Sequence, residues 1–177
     1  MGKKNYIIIG VSLALLVLLV GCGPGTAAFG GLRSEAEAID SATVIRTVRY
    51  FDEGALGPEY AFSVTVPEEW VGQFETSNNG HVVTFNFITE RDRRAPIFTI
   101  QALSFQQFWE QNGSYPSGFY NLAATPDTYF IYTSSLDAYH SGLPAEQYAE
   151  LRAPVAEIIT TFDAVDADEA LSLMAAN

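Results

Sequence analysis

The segment Tyr60-Ala61-Phe62-Ser63-Val64-Thr65-Val66-Pro67-Glu68-Glu69-Trp70 carries the clearest strand signal in the chain. Tyr60, Phe62, Val64 and Val66 fall on one face of an extended backbone, and Ala61, Ser63 and Thr65 on the other. That period of two belongs to a strand with one buried face. Pro67 ends it, because proline has no amide proton to give a ladder. Trp70 is expected to fold back over the edge of the core.

Downstream, the alternation continues. Val71 to Thr76 reads as a weaker strand, and Asn78-Asn79-Gly80 as a hairpin turn, since Asn and Gly tolerate the positive φ that such turns require. The return strand, His81 to Ile88, places Val83, Phe85 and Phe87 on one face. A polar loop from Glu90 to Pro96 leads to a strand at Ile97 to Leu103. Ser104 then reads as a helix N-cap, with Gln107 three positions on to complete a capping box. Phe105, Phe108 and Trp109 sit at i, i+3 and i+4, so this short helix is expected to pack an aromatic face inward. Phe119 to Ala124 and Thr128 to Thr133 form a second hairpin around Pro126-Asp127. Its strand Tyr129-Phe130-Ile131-Tyr132 is apolar on both faces and so expected to be covered on both.

Pro144 opens a C-terminal helix with the stripe Tyr148, Leu151, Val155, Ile158, Ile159 and Phe162. Pro154 interrupts that stripe. A straight helix would lose about 3 kcal/mol there, so a kink or a split is expected. Strands joined by hairpins, with amphipathic helices that need a sheet to cover, make the fold class α+β. The expected architecture is an antiparallel sheet of five to seven strands under a short helix and a long C-terminal one. Residues 44–163 form the single domain. Within them, 44–51 reads equally well as strand or helix. Residues 164–177 form an acidic tail.

Upstream, Ser34 to Asp40 is suited to a short helix, with Glu35 and Glu37 in its first turn. Residues 22–43 otherwise read as a tether, rich in Gly and Ala at the start. Before it, Lys3 and Lys4 precede fifteen apolar or small residues from Tyr6 to Val20, a secretory signal pattern. At ~1.5 Å per residue that run is short of a ~30 Å hydrocarbon core. Extending it toward Phe29 would enlist Gly23, Pro24 and Gly25, which are poor helix formers. The run ends in Leu19-Val20-Gly21-Cys22, which resembles the lipobox of bacterial lipoproteins. The resemblance implies cleavage between Gly21 and Cys22, a diacylglyceryl thioether on Cys22, and anchorage by lipid to the outer face of the cell membrane. An uncleaved single-span anchor is the alternative.

The formal charge is −12, and it becomes −14 once Lys3 and Lys4, the only lysines, are removed with residues 1–21. Seven Arg then face twenty-one Asp plus Glu. This balance excludes nucleic acid as a partner and disfavours adhesion of the protein surface to anionic lipid. Cys22 is the only cysteine, so its lipidation removes every thiol-based chemistry.

The pattern Tyr60-x-Phe62-x-Val64-x-Val66-Pro67-x-x-Trp70, the strand Ile97-Phe98-Thr99-Ile100 and the closing Ile158-Ile159-x-x-Phe162 resemble the PsbP-like fold. The resemblance spans Tyr60 to Phe162. It implies an α/β/α sandwich, an antiparallel sheet with helices on both faces, and a non-catalytic binding or assembly role. No residue here matches the family's metal or photosystem contacts, so none is carried over, and no cofactor is expected.

Few residues point to chemistry. His81 shares the parity of Val83 and Phe85, which suits a hydrogen-bonded histidine at the edge of the core. His140, with Asp137 nearby, is the basis of an alternative reading as a small hydrolase, but no HxH or HExxH spacing supports a metal. Arg91, Arg93 and Arg94 place three of the seven arginines in one loop of an acidic chain, a candidate site for an anionic protein or polymer partner. Trp109, Tyr115, Phe119 and Tyr120 suit either a binding platform or core packing.

Overall fold

The computed structural model describes residues 35–114, 119–134 and 141–166. The strand at Tyr60 is present as β5 (Tyr60–Thr65), with Tyr60, Phe62 and Val64 buried. It is the middle strand of a small antiparallel sheet, between β2 (Thr43–Val48) and β11 (Asp163–Asp166). Five other strands follow in the chain: β6 (Phe74–Asn78), β7 (Val82–Ile88), β8 (Arg94–Ser104), β9 (Phe119–Ala124) and β10 (Thr128–Ser134). With β1 (Glu35–Ala38) they form a six-stranded sheet in the order β1-β6-β7-β8-β10-β9. Every pairing is antiparallel. The fold is α+β, as the alternation and the helical stripes predict.

Two segments depart from the sequence reading, and a third that it left open is settled. Glu35–Ala38 is a strand rather than a helix, so the tether expected through residue 43 gives way to sheet at Glu35. Its Glu-Ala-Glu-Ala alternation fits period two as well as a helical first turn, and the free edge of β6 supplies the hydrogen bonds. Beyond it, Ile39 is buried and tied by its N–H to the Phe74 carbonyl at 2.9 Å and by its carbonyl to the Gly72 N–H at 2.8 Å. Residues 43–48 resolve to strand, in keeping with their β-branched Thr43, Val44, Ile45, Thr47 and Val48. At the other end, the acidic tail expected from residue 164 begins instead as β11, because Asp163–Asp166 takes the second edge of β5.

The resemblance implies helices on both faces of the large sheet, and one of those faces carries the small sheet as well, so the two sheets bury a common core. In it Phe62, Val64 and Val44 meet Phe74, Val83, Phe85, Phe98, Ile100 and Phe130. Rings connect across this core: Trp70 stacks on Phe74 at 3.9 Å, Phe85 on Phe98 at 4.3 Å, and Tyr60 meets Phe130 edge-on at 5.2 Å. The expected return of Trp70 over the core is therefore observed. It is delivered by a 3₁₀ turn (Glu68–Trp70) that carries the chain from the small sheet to the large one.

The C-terminal helix is split at Pro154 into α2 (Ala145–Arg152) and α3 (Val155–Ile158), and Tyr148, Val155 and Ile158 enter the same core. The opposite face of the large sheet receives α1 (Phe105–Ser114). Here Phe108 stacks on Tyr129 at 4.0 Å, over buried Leu103 and Ile131. β10 is thus covered on both sides, as its composition predicts. The capping box is formed in both directions: the Gln107 N–H donates to Ser104 Oγ and the Ser104 N–H to Gln107 Oε1, each at 3.1 Å.

Pro96 lies inside β8 rather than in the loop before it. It sits opposite Asn86 at a register shift, where a strand tolerates a residue without an N–H. Between β2 and β5 a small hairpin, β3 (Phe51–Asp52) and β4 (Ala55–Leu56), had no strand signal of its own. Its turn uses positive φ at Glu53 and Gly54, and Gly57 lies against the Tyr50 ring, where an added Cβ would displace the ring.

Candidate functional site

The strand registers give the large sheet two distinct ends. The Gly80 end holds the β6–β7 turn, the end of β8 at Ser104, the turn between β9 and β10, and Glu35 opposite Asn78. The small hairpin lies here too, since the Arg49 N–H reaches the Gly80 carbonyl at 2.9 Å and Gln107 Nε2 donates to the Phe51 carbonyl at 2.6 Å. The Arg93 end holds the β7–β8 loop, the start of β6 and, through Thr161 Oγ1 accepting from the Thr65 N–H at 2.8 Å, the C-terminal helical segment.

The loop with three arginines separates into two roles. Arg94 opens β8 and clamps Glu75, with Nε to Oε1 at 2.8 Å and NH2 to Oε2 at 3.3 Å. Glu75 is buried, and hydrogen bonding to it, with its charge and that of Asp92, raises the Arg94 pKa above the ordinary value. This residue is committed to tying the start of β8 to β6 across β7. Arg91 and Arg93 are exposed and make no ion pair or side-chain hydrogen bond among the described residues. Their turn is fixed by Thr89 N–H to the Arg93 carbonyl at 2.9 Å and by Asp92 N–H to the Thr89 carbonyl at 2.8 Å, with Asp92 at φ 55°. Two guanidinium groups on a tight turn are left exposed.

The other arginines among the described residues are spent internally. Arg46 pairs with Glu37 at 3.1 Å and donates to Thr76 Oγ1 at 2.6 Å. Burial lowers its pKa, against the opposing pull of Glu37 and Asp40. Arg49 pairs with Glu59, and Arg152 donates to Ser134 Oγ at 3.1 Å.

Also at the Arg93 end, two shallow clefts of about 370 and 450 Å³ flank Glu69 and Pro154. Val66, Pro67 and Ile158 give the first an apolar floor, Trp70 and Phe74 the second, with Glu157 and Glu150 at their respective rims. Nothing in the sequence sets Glu68-Glu69 apart in a chain with twenty-one acidic residues. The cleft forms only because the 3₁₀ turn after β5 meets the helix break at Pro154, which no local pattern signals.

At the Gly80 end, Asp127 Oδ1 accepts from Tyr60 Oη at 3.0 Å, Thr125 Oγ1 at 2.8 Å and Thr128 Oγ1 at 3.1 Å. Desolvation acts to raise the Asp127 pKa, but these three hydrogen bonds together hold it below the ordinary value. Burial raises the Tyr60 pKa. The network joins β5 to the β9–β10 turn.

His81 differs from the hydrogen-bonded histidine expected at the core edge. Its backbone carbonyl accepts from the Ala102 N–H at 3.1 Å, but its Nδ1 is buried without a partner among the described residues. The aromatic set also divides. Phe108 and Phe119 pack on each other at 5.7 Å, whereas Phe105 is 58% exposed, Trp109 53% and Tyr120 57%. The aromatic face of α1 therefore packs through Phe108, with Phe105 and Trp109 left toward solvent. Phe51 and Leu56 on the small hairpin, 47% and 61% exposed, add to this apolar surface.

Gly21, Cys22, Tyr115, Asp137 and His140 lie outside the described residues. Among the described residues no group of three or more His, Cys, Asp and Glu side chains is arranged to hold a metal ion, and no helix is long and apolar enough to cross a membrane. No protein-family model matches this chain, and no curated protein or solved structure is significantly similar to it.

Proposed function

We propose that this chain is a bacterial lipoprotein, anchored through a lipid on Cys22 to the outer face of the cell membrane, whose single domain binds or assembles with a partner and catalyses no reaction. The observation that carries this reading is Leu19-Val20-Gly21-Cys22 at the end of an apolar run preceded by Lys3 and Lys4. The sole thiol of the chain stands at the one position where a diacylglyceryl group would be attached.

The organisation of the domain is consistent with a binding role. Its polar side chains are largely spent on structural contacts: Ser104 on the cap, Asp127 on three hydroxyls, Arg94 on Glu75. Among the described residues, Arg91 and Arg93 are the arginines left to meet a partner, which their charge identifies as an anionic protein face or polymer. The PsbP-like resemblance supports the same role. An α+β fold with an antiparallel sheet and a C-terminal helix agrees with it, whereas the small sheet covering one face is a departure.

Metabolic labelling with an alkynyl palmitate analogue tests the anchor. Wild type is expected to be labelled and Cys22→Ala unlabelled; an unlabelled wild type overturns the reading. Affinity capture from membranes with the lipidated chain tests the partner. The double variant Arg91→Ala/Arg93→Ala is the proper control, because replacing Arg94 would also strip a buried carboxylate of its counter-charge. Retention of every captured protein by that variant removes the turn from the site.

A further inference from the structure

We infer that the Gly80 end of the domain is a docking cap for an electrically neutral lipid surface, entered by Phe51, Leu56, Phe105 and Trp109. The inference deepens the lipoprotein reading and rests on it for what brings the domain to the membrane.

Single apolar side chains on a surface need no explanation. These four are different because they ride on two elements bonded to each other. Gln107 Nε2 donates to the Phe51 carbonyl at 2.6 Å, and the Ser104 hydroxyl donates to the Asp52 carboxylate. Phe51 and Leu56 are cross-strand partners on the hairpin, while Phe105 and Trp109 lie one helical turn apart on α1, their rings 6.1 Å apart. The side chains are thus presented by a braced hairpin and a capped helix start.

The occupant follows from where the chain leads. Glu35, the first described residue, pairs with Asn78 at the Gly80 end of the sheet. From Cys22 to Glu35 the backbone spans at most about 45 Å when fully extended, and on the order of 20 Å as a coil. As a coil, a tether of that reach would keep this end of the domain nearer a lipid on Cys22 than the Arg93 end, which lies about 33 Å further along β8. Tryptophan and phenylalanine favour the interfacial layer, where an apolar body is buried and polar groups remain wet. Charge selects the lipid. The chain cleaved before Cys22 carries −14, and Asp52 and Glu53 lie on the docking hairpin itself, so anionic headgroups repel what neutral ones accept.

The chain has two tryptophans, which makes the test direct: Trp70 is 2% exposed in the core and Trp109 is 53% exposed on the cap. The full lipidated chain is reconstituted in phosphatidylcholine vesicles with brominated acyl chains, and its fluorescence and intact mass are measured on the same preparation. The expected result is quenching of roughly half the emission, lost in Trp109→Phe and in Leu56→Ser/Phe105→Ser, with the Trp70 emission unchanged as the check on folding. Replacing about a third of the lipid by phosphatidylglycerol is expected to lower the quenching severalfold. A correct lipidated mass with Trp109 unquenched, and as open to acrylamide as in the free chain, overturns the cap and leaves the anchor standing. Quenching without the lipid mass supports the cap and overturns the anchor. Shielding of Trp109 that grows with protein concentration in the absence of lipid assigns the surface to a second copy and overturns the inference.

Discussion

Three hydroxyl groups, from Tyr60, Thr125 and Thr128, converge on one carboxylate oxygen of Asp127, and together they favour its charged form. A carboxylate whose folded pKa lies below its unfolded value stabilises the fold above the unfolded pKa of about 4. That contribution fades as pH falls through the folded value. Asp127→Asn is therefore expected to lower Tm at pH 7, and the gap from wild type is expected to narrow as pH falls from the unfolded value through the folded one. Thermal melts of both proteins between pH 2.5 and 7 check this, and a gap independent of pH defeats it. The sequence marks Pro126-Asp127 as a turn, but nothing local announces Tyr60, 67 positions away, as a ligand of that carboxylate. Arg94 shows the same limit. Three arginines in a row of four residues look equivalent until Glu75, on the neighbouring side of the sheet, takes one of them.

At the scale of elements, local chemistry was readable where a side chain answers its own backbone. Ser104 and Gln107 announce the start of α1, Asn79 and Gly80 the β6–β7 turn, and Pro154 the break between α2 and α3. Ser104→Ala removes a cap and a hydrogen bond to Asp52 at once. It is expected to cost about 1–2 kcal/mol by urea denaturation, with Gln107→Ala costing less. An effect within 0.5 kcal/mol of zero for Ser104→Ala would show that the cap contributes nothing. Elements without such a signature were missed. β1 is four residues of alternating Glu and Ala, β3 and β4 are two residues each, and β11 is half acidic. Each is a strand because a neighbouring edge is free, which is a property of the fold and not of the segment.

For the whole molecule, the core is a meeting of two sheets through aromatic rings. Phe98 is fully buried, stacked on Phe85 at 4.3 Å and within 6.2 Å of both Trp70 and Tyr132. Phe98→Ala is expected to cost about 3–5 kcal/mol, a large share of the stability of a domain this size. A shift in chemical denaturation midpoint too small for 2 kcal/mol would contradict a close-packed two-sheet core. The alternation of Tyr60 to Val66 reveals which face of β5 is buried, but not that β5 belongs to a different sheet from β6. That separation is made by the six residues from Pro67 to Gly72, whose 3₁₀ turn redirects the chain across the core. One further consequence lies in β8, which runs without a break from Arg94 to Ser104 and joins the two ends of the molecule. At about 3.3 Å per residue it is a ruler of roughly 33 Å. A domain seated on its Gly80 end thus offers the Arg91–Arg93 turn at a set altitude above the lipid, so that height as well as charge selects what it can meet.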